Sequence, residues 1–134
     1  MAQRTPEETK AWLLEAFDTL FNKRDVEAAA RYWSKDYIQH SAHIEPGREG
    51  LFNLVLAAPE TMRYENDLVL VDGEDAMMHG RFTGHAAPRA WIAADRLKIR
   101  DGLLVEHWDV LQDEATEAES KSKRPMFKTK FAPE

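Results

Sequence analysis

Cysteine is absent from the 134 residues. That excludes a disulfide-stapled scaffold, a thiol nucleophile and a zinc site built on thiolates. Long apolar runs are missing as well. The longest stretch free of Asp, Glu, Lys and Arg is Gly50 to Pro59, ten residues, whereas a membrane-spanning helix takes about 20. No apolar leader follows the first residues. Basic charge is in deficit: 18 Lys and Arg against 24 Asp and Glu leave a net −6. A nucleic-acid binder needs a concentrated positive patch to displace counterions from phosphates, and this balance argues against one. The length suits one domain with an independent core. The expectation is a soluble, cytoplasmic protein whose partners include neither nucleic acid nor membrane.

The first half of the chain has a helical period. Thr5-Pro6-Glu7-Glu8 is a capping box with proline at the first helical position. Leu13, Ala16, Phe17 and Leu20 then share one stripe of a helix running to about Asn22. Asp25 can cap a shorter helix carrying Val26, Ala29, Ala30 and Trp33 at the same spacing. Tyr37-Ile38-Gln39-His40 is a short extended piece. Pro46-Gly47 marks a turn, and Leu51, Leu54, Val55 and Ala58 make a third amphipathic helix that stops before Pro59.

Beyond Pro59 the period becomes two. Leu68 to Val71 and Ala76 to Gly84 read as strands joined at Asp72-Gly73-Glu74-Asp75, and Gly80 and Gly84 mark bulges or bends. Trp91 to Ile99 and Leu103 to Leu111 form a hairpin around Arg100-Asp101-Gly102. Helices first and a meander afterwards imply an α+β domain, a curved antiparallel sheet with helices on its concave face. Residues 1–113 make that domain. Residues 114–134 have no period, and from Asp113 to Glu134 five acidic side chains balance five basic ones. They read as a charged, solvated tail, or as an arm laid across a second subunit through Met126, Phe127 and Phe131.

The register of the last hairpin decides which side chains meet. A three-residue loop over Arg100-Asp101-Gly102, closed by a left-handed glycine, sets Ile99 opposite Leu103, Leu97 opposite Val105 and Asp95 opposite His107. One face then carries Asp95, Leu97, Ile99, Leu103, Val105, His107, Asp109 and Leu111. A two-residue loop would instead oppose Asp95 to Trp108 and send Asp109 to the other face. Carboxylates on a core face are costly unless paired, hydrated or neutralised. Three ionisable groups there point to a partly apolar pocket; bonding among themselves at the open end of the sheet is the plain structural alternative.

The quoted segments, together with Pro46-Gly47-Arg48-Glu49-Gly50-Leu51 and Glu106-His107-Trp108-Asp109, resemble the SnoaL-like branch of the nuclear transport factor 2-like superfamily. The likeness runs from about Pro6 to Asp113. It implies a cone: a mixed, curved sheet wrapped around three helices, with a pocket in its concave face and a homodimer packed through the outer face. It also implies polyketide cyclase-like or ketosteroid isomerase-like chemistry, although the superfamily holds dehydratases, epoxide hydrolases and non-enzymatic carriers too. In SnoaL-type cyclases an aspartate on the strand after the glycine hairpin is the acid/base, and Asp109 matches it. Where those cyclases carry a histidine on the preceding strand, this chain has Asp95.

Removing a proton next to a carbonyl needs a base at the carbon and a donor at the forming enolate oxygen. Asp109 is the expected base, its pKa raised by apolar walls. Asp95 is a protonated donor, and His107 the group that orients Asp109 or stabilises its charge. His40 is a fourth catalytic candidate. His79, Trp12, Trp33, Tyr37, Phe52 and Trp91 are candidates for lining a site that takes a small apolar or carbonyl-bearing molecule without a cofactor. Such a set suits aldol condensation, isomerisation or dehydration. His43 and His85 fall in loop-like segments and read as solvated, and Trp108 as outer-face packing. Three other readings stand beside this one. They are a non-catalytic ligand-binding dimer, an epoxide hydrolase drawing on Arg63, Arg81 or Arg89, and an iron or manganese site in which His40 or His79 joins His107 and Asp109.

Overall fold

The computed structural model describes residues 4–133. The first helix, α1 (Pro6–Phe17), begins with the capping box: Thr5 Oγ1 accepts from Glu8 N at 3.1 Å, and Thr5 N donates to Glu8 Oε1 at 2.9 Å. A π-helical turn, Asp18–Asn22, extends it. There Thr19 donates its hydroxyl back to Glu15 O at 2.8 Å, a bond that competes with the regular helical ladder. Asn22 ties this end to the sheet. Its Oδ1 accepts from Tyr64 N at 2.8 Å, and its Nδ2 donates to Tyr64 O at 3.2 Å.

Asp25 caps a single turn, α2 (Val26–Ala29), by accepting from Ala28 N at 3.0 Å. Trp33, expected on the face of that helix, instead opens β1 (Trp33–Gln39). Four residues of helix are too short to reach it, and the indole is buried by the strand. The third helix, α3 (Gly47–Ala57), stops before Pro59 as the sequence requires.

Four further strands follow: β2 (Arg63–Asp72), β3 (Asp75–Thr83), β4 (Trp91–Arg100) and β5 (Leu103–Asp113). They assemble in the order β1-β5-β4-β3-β2, with β1 parallel to β5 and every other pair antiparallel. Inward residues from the sheet and the helical stripe Leu13, Ala16, Phe17 and Leu20 close one core. Its centre is aromatic: Phe17 lies 5.1 Å from Tyr64, and Phe21 5.0 Å from Phe82. Gly80 is required because Tyr64 packs flat on β3; a Cβ there would come within 2.3 Å of its ring.

The β4–β5 register differs from the expected one. The loop has two residues, Asp101 and Gly102, both left-handed at φ 52° and 78°. Arg100 therefore pairs with Leu103, and Ile99 with Leu104. One extra residue on β5, Val105, then forms a bulge, and from Lys98 opposite Glu106 onward the parity is restored. Leu97 consequently faces His107, and Asp95 faces Asp109. Leu104, assigned to the outer face by the longer loop, is fully buried, whereas Leu103 and Val105 are half-buried.

From Glu114 to Pro133 the chain forms neither helix nor strand, and it is mostly exposed, with Glu114 and Phe127 set against β3. Phe127 is 5% exposed, with its ring 5.7 Å from the His79 imidazole. Glu114 takes both Arg81 Nε and Nη2, at 3.0 and 2.8 Å. Two more of its charges pair within the chain, Glu119 with Arg89 and Lys128 with Glu65. No helix among the described residues is long and apolar enough to cross a membrane.

Candidate active site

The concave side encloses a cavity of about 110 Å³ between β1, β4, β5 and the helices. Its walls are aromatic and aliphatic, and include Phe17, Phe21, Trp33, Leu51 and Leu97. Asp95, His107 and Asp109 all line it. One ligand-capable atom from each of the three lies within 4.8 Å of the others.

The three groups are not equivalent. Asp95 is 3% exposed and His107 6%, while Asp109 is half-buried. His107 Nε2 stands 2.7 Å from Asp95 Oδ1. Asp95 Oδ2 is buried and has no hydrogen-bond partner. Burial pushes the Asp95 carboxyl up; the His107 bond opposes that push, and the Asp109 charge adds to it. On the same wall the Tyr37 hydroxyl is raised, again by burial. It accepts from Gln39 Nε2 at 2.9 Å and its ring stacks 6.5 Å from His107. Trp33 also lines the cavity, and its Nε1 is buried on the Tyr37 side.

Of the expected residues, the structure brings together Asp95, His107, Asp109, Trp33, Tyr37 and Trp91. It takes His40 away. Its Nε2 lies 2.6 Å from Glu106 Oε2, and its ring stacks 4.7 Å from Trp108, on the side of β5 opposite His107. The chain leaves β1 at Gln39, so the next residue has already turned outward. His79 is excluded by strand parity. It alternates with the buried Met78 and meets Asp67 and Phe127 on the outer face. Trp12 packs under Arg4 and against Tyr32, and Phe52 sets its edge toward Trp33 without reaching the cavity.

Two histidines read as solvated line the cavity instead. The His85 ring sits 3.9 Å from Trp91, and His43 stacks 6.1 Å from the same indole. Both His85 ring nitrogens are buried without partners, and burial lowers the imidazole pKa. Nothing local in the sequence distinguishes these loop residues; only the return of both loops to Trp91 does. The arginine of an epoxide hydrolase is not supplied either. Arg81 and Arg89 are paired with Glu114 and Glu119, and Arg63 donates to the backbone of Glu60 and Met62. The iron or manganese set with His40 or His79 is ruled out by their outward placement.

Residues 14–107 match the model of the SnoaL-like domain, most of the chain, and the protein belongs to that family. The fold recurs in solved structures. A candidate ketosteroid isomerase from Kribbella flavida superposes with a TM-score of 0.69 at 22% identity, covering 83% of this chain and 82% of that one. A candidate polyketide cyclase from Acidithiobacillus ferrooxidans gives 0.68 at 16% identity, with 84% and 92% covered. TsrD from Streptomyces laurentii gives 0.65 at 21% identity, with 81% and 92% covered. At such identities the likeness is one of fold. No curated protein matches the sequence.

Proposed function

We propose that this protein catalyses proton transfer next to the carbonyl of a small, largely apolar molecule, by the side chains of the cavity alone. The observation that carries the reading is the grouping of Asp95, His107 and Asp109 within 4.8 Å at one wall of an otherwise apolar cavity. Two adjacent carboxyls do not both ionise cheaply, and burial raises Asp95. Asp95 then stays protonated and bonded to His107, and Asp109 is the carboxylate that removes the proton α to the carbonyl. The electron pair of that C–H bond passes to the carbonyl oxygen. Asp109 returns the proton at a second carbon, which completes an isomerisation, or the enolate carbon attacks a second carbonyl and Asp109 returns the proton to the alkoxide so formed, which completes an aldol step.

The size of the cavity narrows the substrate. At about 110 Å³ it is somewhat smaller than the apolar protein cavity of roughly 150 Å³ that holds benzene. It therefore receives about one ring of the substrate, and any remainder lies in the mouth beside Trp91.

The test is deuterium uptake from solvent at the α-carbon of one-ring ketones and cyclic 1,3-diketones, followed by NMR. The expected result is uptake faster than in buffer, reduced about 10²- to 10⁴-fold in Asp109→Asn. Equal uptake in the variant would remove Asp109 from the mechanism. Tight binding of every probe with no uptake would make the protein a carrier.

A further inference from the structure

Gln39, at the end of β1, is not used by the mechanism above, yet it sits beside His107 in the parallel register. Its Oε1 lies 2.9 Å from the Ser41 backbone nitrogen and 2.6 Å from His107 Nδ1. Its Nε2 lies 2.9 Å from the Tyr37 hydroxyl. A backbone N–H only donates, so the amide atom that faces Ser41 is the oxygen. Turning the amide over would set donor against donor. The same oxygen faces Nδ1, and Nδ1 therefore carries a hydrogen whether the ring is neutral or charged.

The other ring nitrogen is then constrained. A neutral imidazole with its hydrogen on Nδ1 has a bare Nε2, and the 2.7 Å contact with Asp95 Oδ1 requires a proton on the carboxyl. In the imidazolium form Nε2 holds that proton and the carboxyl is ionised. Either way the contact contains one proton, and Asp95 Oδ2, which has no partner, is bare.

We propose that Gln39 is a positioning residue: it fixes His107 as the Nδ1–H tautomer, so that Asp95 and His107 share one proton and leave Asp95 Oδ2 bare. The consequence for rate rests on the proton-transfer reading; the tautomer does not. With that proton held inside the pair, Asp109 is the carboxylate left to act as base. The ionisable groups around the pair are Tyr37 from β1, Tyr64 from β2 and Asp109 from β5, with His43 and His85 from the loops. The helical residues that line the cavity, Phe17, Phe21, Leu51 and Leu54, carry no charge.

Gln39→Leu removes the acceptor at Nδ1. The Nδ1 hydrogen is then released to solvent, and the shared proton stays on Nε2, donated to an ionised Asp95. Two carboxylates face each other, and the acid limb of α-proton exchange moves up by about one pH unit. Gln39→Glu keeps the acceptor and adds a negative charge, so both ring nitrogens of His107 are protonated.

The experiment is a long-range ¹H–¹⁵N correlation on histidine-labelled protein near neutral pH, with His107 assigned by the loss of its signals in His107→Gln. The expected pattern is a protonated Nδ1 in the wild type and in Gln39→Glu, lost in Gln39→Leu. A bare Nδ1 in either of the first two overturns the proposal, and so does an Nδ1 proton that persists in Gln39→Leu. Should Gln39→Leu not fold, the other two spectra still decide. The expected pattern without α-exchange in any probe leaves the positioning role standing and removes the proton-transfer reading. Exchange with a bare wild-type Nδ1 does the reverse.

Discussion

Asp95 and Asp109 stand directly opposite one another across β4 and β5, and only the first is bonded to His107. Burial and the neighbouring Asp109 charge raise Asp95 above the ordinary carboxylate range. Its proton is therefore held more tightly in the folded chain than in the unfolded one. A raised carboxyl contributes stability that is fully present below its unfolded pKa and is lost as pH rises through the folded value. Each unit of elevation is equivalent to about 1.4 kcal/mol.

The first prediction follows from that sign. Asp95→Asn keeps a donor toward His107 Nε2 and cannot ionise, so its stability falls less between mildly acidic and neutral pH than that of the wild type. Urea denaturation midpoints across that range measure the difference. Parallel curves for the two proteins would mean that Asp95 is not the buried, raised group described here.

Much of this wall was legible in the sequence, for reasons that differ residue by residue. Thr5 and Glu8 signal the start of α1 because a capping box is a local device. Asp95, His107 and Asp109 were legible as one face because strand parity is strict. The route to that face was not. The expected three-residue loop and the observed two-residue turn with a bulge at Val105 give the same parity beyond Glu106. They differ near the turn, where Leu104 is buried. A bulge answers to packing on both strands and has no signature of its own in Leu103-Leu104-Val105. His40 and His79 were misplaced because one lies just past a strand end and the other on a strand whose facing needs its neighbours. Gln39 went unassigned because its partners, His107 and Ser41, become neighbours only when β1 joins β5 in parallel.

The cavity mouth supplies a second prediction. His43 and His85 flank Trp91 from two loops, with the nearer ring 3.9 Å away. A one-ring ketone entering there changes the surroundings of that indole. Titration with such a ligand is expected to alter tryptophan emission, and Trp91→Phe to reduce the change to the part that Trp33, in the cavity wall, contributes. An undiminished signal in Trp91→Phe would place the ligand elsewhere.

A third prediction concerns divalent cations. The grouping within 4.8 Å is compact enough for one ion, but His107 offers no free nitrogen: Nδ1 is bonded to Gln39, and Nε2 to Asp95. A cation would have to displace the shared proton and be held in an apolar cavity by one histidine and two carboxylates. Zinc or manganese at micromolar concentration is therefore expected to leave the melting temperature unchanged. A rise of several degrees, lost in Asp109→Asn, would establish a metal site instead.

The fourth prediction concerns what holds the site's roof in place. The π-helical end of α1 carries Phe21 into the cavity wall, and its anchor on the sheet is Asn22, which makes two bonds to the backbone of Tyr64 at 2.8 and 3.2 Å. Asn22→Ala leaves both Tyr64 groups without those partners, at a cost of about 1 to 3 kcal/mol. Asn22→Asp keeps the acceptor for Tyr64 N and loses the donor, so it lies between the two. Chemical denaturation should rank the three proteins in that order. Because Tyr64 packs on Phe17, Phe21 and Phe82, the loss extends to the ligand: the affinity of a one-ring ketone falls in Asn22→Ala although Asn22 does not line the cavity. Equal stability in all three proteins would show that aromatic packing alone seats the helix end.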